Sequence, residues 1–281
     1  MRILAIGDFH GKFPEKLMNR IKNEKIDLVL STGDYAGIDE WRPLLRKVFK
    51  ATEKGKDISV EELLGKKKYR KLLEKDFVEG KIPLKELNKF KVRVFSVFGN
   101  GDWYKAFFND YGKYYEKTVR KLRYIKNINR GKGSFKGMKI VGFGGYLDND
   151  VYFSRKGRKA INDTLKQNRK RRKRYNEEKR KFMKLMKSKP DILLLHYNPY
   201  KCLDKMKAKG YALSGSNMGI GFFNRGIKKY SPLLVICGHM HENQGKCKIG
   251  KTVVINPGAA SEGKAAIIEL GDKVKNIKFL R

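Results

Sequence analysis

All four histidines of this chain follow short apolar runs, and this arrangement restricts the fold more than any other feature of the sequence. The clearest run covers residues 234–237 and is followed by a glycine and then by His239 and His241. An apolar, β-branched run of this length indicates a buried strand. Side chains two positions apart point the same way, with backbones roughly 6–7 Å apart. That separation suits two imidazoles serving two metal ions about 3.5–4 Å from each other.

Potential metal ligands follow five separate predicted strands. Their donor atoms are oxygen or imidazole nitrogen, without thiolate: Asp8, His10, Asp34, Asn100, His196, His239 and His241. Because open α/β sheets bind ligands at the carboxyl ends of their strands, we expect all seven in one crevice. Such donors suit Mn, Fe, Zn, Co or Ni rather than a structural cysteine zinc site. Taken singly, an aspartate beside glycine could cap a helix, Asn100 could form a turn, and His196 could be a core histidine.

The order of predicted elements indicates an α/β protein. Strands at 2–8 and 27–34 flank a helix near 14–24, which predicts a parallel pair with a right-handed crossover. Further strands are predicted at 92–98, 139–145, 191–196 and 234–237, with short antiparallel strands after residue 252 and a helix over 216–229. Strands that alternate with helices and then run together favour a layered sandwich of sheets.

We expect a single domain over residues 1–281 with two helical insertions, at about 41–91 and about 155–189. The second insertion contains 17 Lys or Arg against three acids, and only Tyr175 is apolar in its middle. Such a segment has few side chains to pack on a core, so we expect a projecting or solvent-exposed basic helix.

The chain as a whole is also strongly basic, with 66 Lys and Arg against 29 Asp and Glu and a formal net charge of +37. Such a field attracts polyanions: nucleic acid, an acidic membrane surface or a phosphorylated substrate. A lysine-rich composition adapted to heat is the alternative, although that bias normally brings glutamate with it. Charge alone leaves both interpretations open.

Three features favour a cytoplasmic protein without a membrane segment. Cys202, Cys237 and Cys247 are odd in number and lack paired-ligand spacing, so we expect neither a disulfide framework nor a cysteine zinc site. No apolar run approaches the roughly 20 residues of a membrane span. The first strand begins at Arg2, which leaves no room for a signal peptide.

The ordered motifs resemble those of the calcineurin-like metallophosphoesterases. They are Asp8-x-His10, Gly33-Asp34, Gly99-Asn100-x-Asp102, a lone His196 and Gly238-His239-x-His241. The loop after His196 and the turn at 256–258 are also similar to the family's. The resemblance covers the whole chain and is weakest in the two insertions. It implies a four-layer α-β-β-α sandwich of two mixed sheets that holds two divalent metal ions (Mn, Fe, Ni or Zn).

The resemblance also implies roles for the seven residues. The first ion would be bound by Asp8, His10 and His241, and the second by Asn100, His196 and His239. Asp34 would bridge them, and we predict Asp34 and Asn100 to be catalytic as well as metal-binding. A hydroxide shared by the ions would attack the phosphorus of a phosphoester substrate.

Two departures from the family pattern narrow the function. Most relatives carry a histidine where this chain has Gly101; that histidine contacts the phosphate and can protonate the leaving oxygen. Leaving groups that need no proton should therefore be favoured, and Asp102, which orients that histidine in relatives, should instead support the metal ligands. In addition, the Asp-Arg-Gly segment of the family's protein phosphatases is missing after Asp34, which disfavours a Ser/Thr protein phosphatase.

Three functions compete. The first is a phosphodiesterase acting on a nucleotide-like or other small diester. The second is a nuclease whose basic 155–189 helix holds DNA or RNA. The third is a non-catalytic, metal-containing nucleic-acid-binding protein. Aromatic residues after Asp102 could stack on a base, although core packing is the commoner role of such a cluster: Trp103, Tyr104, Phe107 and Phe108.

Overall fold

The computed structural model of this protein describes residues 1–102, 116–208 and 210–281. Its strands form two six-stranded mixed sheets, in the orders β12-β11-β1-β2-β3-β4 and β5-β6-β7-β8-β10-β9. The strands are β1 (Arg2–Ile6), β2 (Leu28–Ser31), β3 (Arg93–Ser96), β4 (Ile125–Asn127), β5 (Gly131–Phe135), β6 (Met138–Phe143), β7 (Ile192–Leu195), β8 (Leu234–Ile236), β9 (Gly245–Ile249), β10 (Thr252–Asn256), β11 (Ala265–Leu270) and β12 (Val274–Leu280). We call these two sheets the first and the second sheet.

Helices connect the strands and cover the outer faces of the sheets. They are α1 (Glu15–Lys22), α2 (Trp41–Glu53), α3 (Val60–Leu64), α4 (Lys66–Glu79), α5 (Lys81–Lys89), α6 (Arg155–Ala160), α7 (Leu165–Met186) and α8 (Gly221–Tyr230). Both expected helical segments are thus helical, while the division into one domain with two insertions stays a prediction. Among the described helices, none combines the length and the apolar composition of a membrane span.

The apolar side chains sort into three large clusters that define four layers. Between the sheets, alternate strand residues such as Ala5 of the first sheet and Leu194 of the second share one buried cluster. The residues next to them, such as Leu4, face outward and pack with α1, α4 and α5. The outer face of the second sheet packs on α7 and α8 through residues such as Phe143. The predicted α-β-β-α sandwich is confirmed.

The structure differs from the sequence prediction at several elements. Strands β5 and β9 were not predicted, because each is an edge strand rich in glycine and lysine rather than an apolar run. Strand β10 pairs in parallel with β8 as well as antiparallel with β9. Helix α8 begins at Gly221 rather than at residue 216, because Asn217 and Ile220 form β-bridges with the preceding loop.

Helix α7 packs on the body of the protein, so the projecting alternative was wrong, while most of its residues are exposed, as the other alternative predicted. The ring of Tyr175, midway along the helix, packs edge-on against Phe222 of α8 with centroids 5.1 Å apart. Arg171 turns inward and forms ion pairs of 2.6 Å with both Asp148 and Asp163. The middle of the helix therefore packs through one aromatic residue and a neutralised guanidinium, which an apolar pattern alone does not reveal.

The expectation of unpaired cysteines was also wrong. Cys202 and Cys247 form a disulfide, with Cα atoms 6.1 Å apart, while Cys237 is free and buried. The pair is separated by 45 residues, so no local spacing signals it. The disulfide joins the loop after β7 to the edge strand β9.

Candidate metal centre

The seven predicted ligands all lie just beyond strand ends, on the edge where the carboxyl ends of β1, β2, β3, β7 and β8 meet. The first sheet supplies Asp8, His10, Asp34 and Asn100, and the second supplies His196, His239 and His241. The first three strands run parallel to one another, and so do β7 and β8. This common direction brings residues from distant parts of the chain to one edge.

One group of donors comprises Asp8, His10 and His241, whose candidate ligand atoms all lie within 4.8 Å of one another. Nε2 of His10 is 3.1 Å from Nε2 of His241, which in turn is 3.5 Å from Oδ1 of Asp8. Asp8 and His10 are buried, while His241 is partly exposed. The group therefore opens toward solvent at His241.

A second group comprises Asp34, His196 and His239, again with ligand atoms within 4.8 Å. Nε2 of His196 lies 3.5 Å from Oδ2 of Asp34 and 2.9 Å from Oδ1 of Asn100. The amide side chain of Asn100 thus joins this group. The family resemblance implied Asn100, His196 and His239 for the second ion and Asp34 as a bridge between the two ions.

Carbonyl groups orient two of the imidazoles. Nδ1 of His10 lies 3.2 Å from the carbonyl oxygen of Ala36, and Nδ1 of His196 lies 2.9 Å from that of Thr32. Because a carbonyl only accepts, each Nδ1 must be the donor, which leaves Nε2 of each ring facing its group. Nε2 of His10 then faces Nε2 of His241, an arrangement that a shared cation would stabilise.

Four of the candidate ligands adopt left-handed backbone conformations: Asp8 (φ 56°), His10 (φ 49°), Asp34 (φ 53°) and His239 (φ 66°). This region is uncommon for residues other than glycine, and such strain concentrates at functional sites. Main-chain bonds hold it in place, since the N–H groups of Asp8 and His10 donate to the carbonyls of Gly33 and Asp34 at 2.8 and 3.0 Å. The loops after β1 and β2 thus fix each other.

The buried carboxylate of Asp102 supports the loop that carries Asp34. It accepts the main-chain N–H groups of Asp34, Tyr35, Ala36 and Gly99 at 2.7–3.1 Å. Burial, reinforced by the nearby carboxylate of Asp34, raises the pKa of Asp102 to about 7. Asp102 is therefore placed to position a candidate ligand rather than to bind an ion itself.

Glycines surround the Asp34 side chain. The N–H of Gly101 donates to Oδ1 of Asp34 at 2.7 Å, so the position that carries histidine in relatives here supplies a backbone donor. A Cβ at Gly99 would collide with the same oxygen and would lie 2.5 Å from Cγ. The carboxylate can occupy its place only because residue 99 has no side chain.

The electrostatics of the buried groups match those of a cation site. Burial lowers the pKa of His10 and holds that of His239 well below its usual value, so both rings are neutral near pH 7. For Asp8, burial raises the pKa but the hydrogen-bonded His241 lowers it further, to about 2. The pKa of His241 is raised, because the Asp8 carboxylate outweighs the opposing effect of burial. Neutral imidazoles and ionised carboxylates are the forms that bind divalent ions, so Asp8, His10 and His239 are already in the binding form, while His241 would release its proton when an ion binds.

Two nearby residues were not predicted from the sequence. The Arg42 guanidinium, in the first turn of α2, opposes protonation of both His10 and His241. The buried ring of Tyr197 packs on His239 with centroids 4.3 Å apart. The sequence offered one sign of the Tyr197 position, since this residue directly follows His196. It offered no sign for Arg42, which lies in the first helix of the predicted insertion. The predicted stacking residues Trp103, Tyr104, Phe107 and Phe108 lie outside the described residues.

Comparison with known proteins gives one family and several structural likenesses. The family described as "Metallophosphoesterase, calcineurin superfamily" matches residues 1–279. No curated protein matches the sequence significantly. A solved structure with 18% identity aligns with a TM-score of 0.65, over 99% of this chain and 97% of the other. The protein TT1561 of Thermus thermophilus has 16% identity and a TM-score of 0.57, over 99% of this chain and 97% of that one. A dimetal phosphatase from Danio rerio has 11% identity and a TM-score of 0.52, over 100% and 96%.

Proposed function

This chain belongs to the calcineurin superfamily of metallophosphoesterases, hydrolases of phosphoesters, and from that premise we propose that it is a dinuclear phosphodiesterase acting on a nucleotide-like or other small diester. The observation that carries the proposal is the pair of donor groups, Asp8–His10–His241 and Asp34–His196–His239, which meet at one edge of the sandwich. Each group offers one carboxylate and two imidazoles, a donor set that suits Mn, Fe, Ni or Zn.

The chain's own residues would divide the work as follows. Asp8, His10 and His241 would hold one ion, and His196, His239 and Asn100 the other, with Asp34 between them. Bound ions of this kind lower the pKa of water to about 7 and neutralise charge that develops on a phosphoryl group. Asp102 would keep the Asp34 loop in register, and Arg42 would add positive charge beside the first group, where an anionic substrate approaches.

The missing side chain at Gly101 supports a diester with a good leaving group. No further histidine exists in the chain to protonate the leaving oxygen, because all four lie in the two donor groups. Activity toward esters whose leaving oxygen needs no proton fits this arrangement best.

The experiment that tests the proposal is a panel of mono-, di- and polynucleotide esters and simple aryl phosphodiesters, run at fixed salt with Mn, Ni or Zn. We expect turnover of small diesters that requires added metal and disappears with a chelator. Preference for monoesters would overturn the diester assignment. Absence of any metal-dependent hydrolysis would favour the non-catalytic alternative.

A nuclease is the second candidate, and the observation that favours it is the basic character of α7. A nuclease must cleave a polynucleotide as well as bind it. The substrate panel described above includes polynucleotides beside small diesters, so it tests this alternative too. The cytoplasmic location stays a prediction, and the disulfide between Cys202 and Cys247 removes the cysteine argument for it.

A further inference from the structure

The cations of helix α7 fall on two faces, which differ in whether the cations have carboxylate partners. On the inner face, the cations have carboxylate partners: Arg171 pairs with Asp148 and Asp163, and Arg174 also reaches Asp148 at 3.3 Å. Lys181, two turns further, pairs with Glu178 of the same helix at 2.9 Å. The pairs of Arg171 and Arg174 fasten the helix to the rest of the protein.

The outer face carries a shallow, open groove between side chains of α7 itself, and no carboxylate lies in its lining. We call it the cationic groove, and its lining consists of Arg169, Arg172, Lys173, Asn176, Lys179 and Arg180. Arg172 is engaged with the ring of Phe153, 4.7 Å from its centroid. In the described parts of the chain, no carboxylate lies within ion-pair distance of Arg169, Lys173 or Arg180.

This arrangement opposes the stability of the helix itself. Arg169 and Lys173 are four residues apart, where like charges repel. The first turn carries no acidic residue and contains Lys166, a cation at the end where the helix dipole disfavours positive charge. Lys67 and Lys71 of α4 share this spacing, but in α7 the unpaired cations continue along one face for about three turns, from Arg169 to Arg180. An external anion would remove the repulsion.

The chemistry of the groove identifies the kind of anion. Protein interfaces rely on buried aromatic or apolar anchors, and membrane-surface helices need an apolar face. The outer face offers neither, because Phe182 and Met186 are buried inside and Leu165 stands alone at the helix start. Arginine and lysine side chains without apolar partners suit the phosphates of a nucleic-acid backbone. From Arg169 to Arg180 the helix rises about 16 Å, which spans several phosphates.

We propose that the cationic groove of α7 binds the sugar–phosphate backbone of a nucleic acid, without reading base sequence. The site lies outside the seven candidate metal ligands and does not depend on the proposed phosphodiesterase activity. It gives this metallophosphoesterase a second binding surface.

The test compares two triple variants with equal loss of charge. Arg169→Gln, Lys173→Gln and Arg180→Gln together remove the groove cations. Lys67→Gln, Lys68→Gln and Lys71→Gln remove three exposed cations from α4, which have no ion-pair partner among the described residues. Glutamine preserves helix propensity, and thermal melts check folding. Binding of fluorescent single-stranded and duplex oligonucleotides of unrelated sequence is measured by anisotropy between about 50 and 200 mM salt.

We expect the groove variant to lose at least about tenfold in affinity and about two to three units of the log–log salt slope, while the α4 variant stays close to the wild type. Equal losses in both variants would overturn the proposal, because net charge alone would then explain binding. Salt-independent wild-type binding, or capture by anionic vesicles but not by oligonucleotides, would also overturn it. Hydrolysis of a small aryl diester is followed in parallel and should be unchanged in both variants. If that activity is missing from the wild type while groove-dependent binding remains, the proposed function fails and this inference stands.

Discussion

Oδ2 of Asp102 accepts the main-chain N–H of Asp34 at 2.8 Å. The two residues are 68 positions apart, and the bond ties the end of β3 to the loop that carries a candidate ligand of the second group. Asp102 accepts three further backbone donors, so its two oxygens act only as acceptors. This relationship makes Asp102 a positioning residue.

Replacing Asp102 with asparagine should therefore weaken metal binding. The amide keeps the size of the carboxylate but turns one acceptor into a donor that faces backbone N–H groups. We expect metal affinity to fall by about 10–100-fold, measured by calorimetric titration with Mn or Zn. Asp204→Asn is the matched control, because Asp204 is also buried and accepts the N–H groups of Lys201 and Gly219. Equal losses in the two variants would contradict a specific role for Asp102.

Alanine variants of the ligands should separate the two ions. His241→Ala removes a donor of the first group and His239→Ala a donor of the second, so each should leave about one tightly bound ion per chain. Asp34→Ala should weaken both and abolish turnover. The measurement is metal content by elemental analysis after dialysis, together with hydrolysis of an aryl diester. Persistence of activity in both Asp34→Ala and His239→Ala would mean that another site is responsible.

The absence of a side chain at Gly101 should appear in the choice of leaving group. Without an acid to protonate the leaving oxygen, kcat/KM should fall steeply as the pKa of the leaving alcohol rises. General acid catalysis typically contributes about 10²–10⁴-fold, so alkyl esters should be slower than aryl esters by at least that order. A series of aryl and alkyl methylphosphonates at one pH gives the slope. Equal rates across the series would contradict the absence of an acid that protonates the leaving oxygen.

A methyl group at residue 99 should disturb both the fold and the metal centre. The added Cβ would collide with the Asp34 carboxylate, and overpacking of this kind costs about 1–3 kcal/mol of unfolding free energy. Gly101→Ala provides a graded comparison, since its Cβ would lie 3.3 Å from the same oxygen. Urea denaturation should therefore rank wild type above Gly101→Ala and Gly101→Ala above Gly99→Ala. The reverse order of the two variants would contradict this packing argument.

Acid should remove a stabilising contribution from Asp27. Its hydrogen bond from Lys136, followed by that from the N–H of Arg2, lowers the pKa of this carboxyl in the folded state. Because the folded-state pKa is depressed, the stabilisation is present above the unfolded-state pKa of about 3.9 and is lost as pH falls through the folded-state pKa. Thermal melts of Asp27→Asn should lie below the wild type at pH 7 and converge with it in acid. Asp57→Asn, at an exposed position, serves as the control; a difference for Asp27→Asn that persists unchanged in acid would contradict the prediction.

A layered sandwich of sheets and the meeting of the candidate ligands at one edge were predictable from short-range patterns, whereas the four-layer α-β-β-α order came from the family resemblance. Apolar runs at 2–8, 27–34 and 191–196 mark buried strands, and the carboxyl ends of parallel strands converge whatever lies between them. The ligand roles of all seven residues and the catalytic roles of Asp34 and Asn100 stay predictions, and the structure brings the side chains of Asp34 and Asn100 to the second group.

Features that depend on distant partners were not predictable. The edge strands β5 and β9 gain their structure from a neighbour rather than from their own side chains. The Cys202–Cys247 pair and the inward turn of Arg171 likewise require knowledge of what lies opposite. A supporting role of Asp102 toward the metal ligands was predicted, but the N–H groups that it accepts were not, because they depend on the exact path of two loops.

Each of the two donor groups draws residues from both sheets, with Asp8 and His10 facing His241, and Asp34 facing His196 and His239. A cation bound by either group would cross-link the two sheets of the sandwich. Sliding of one sheet over the other would change the spacing of the donors before it disturbed the apolar interior. The packing of the two sheets against each other therefore sets the distances between the donor atoms. Substitutions of apolar residues between the sheets, far from the ions, should change the coordination geometry and with it the activity.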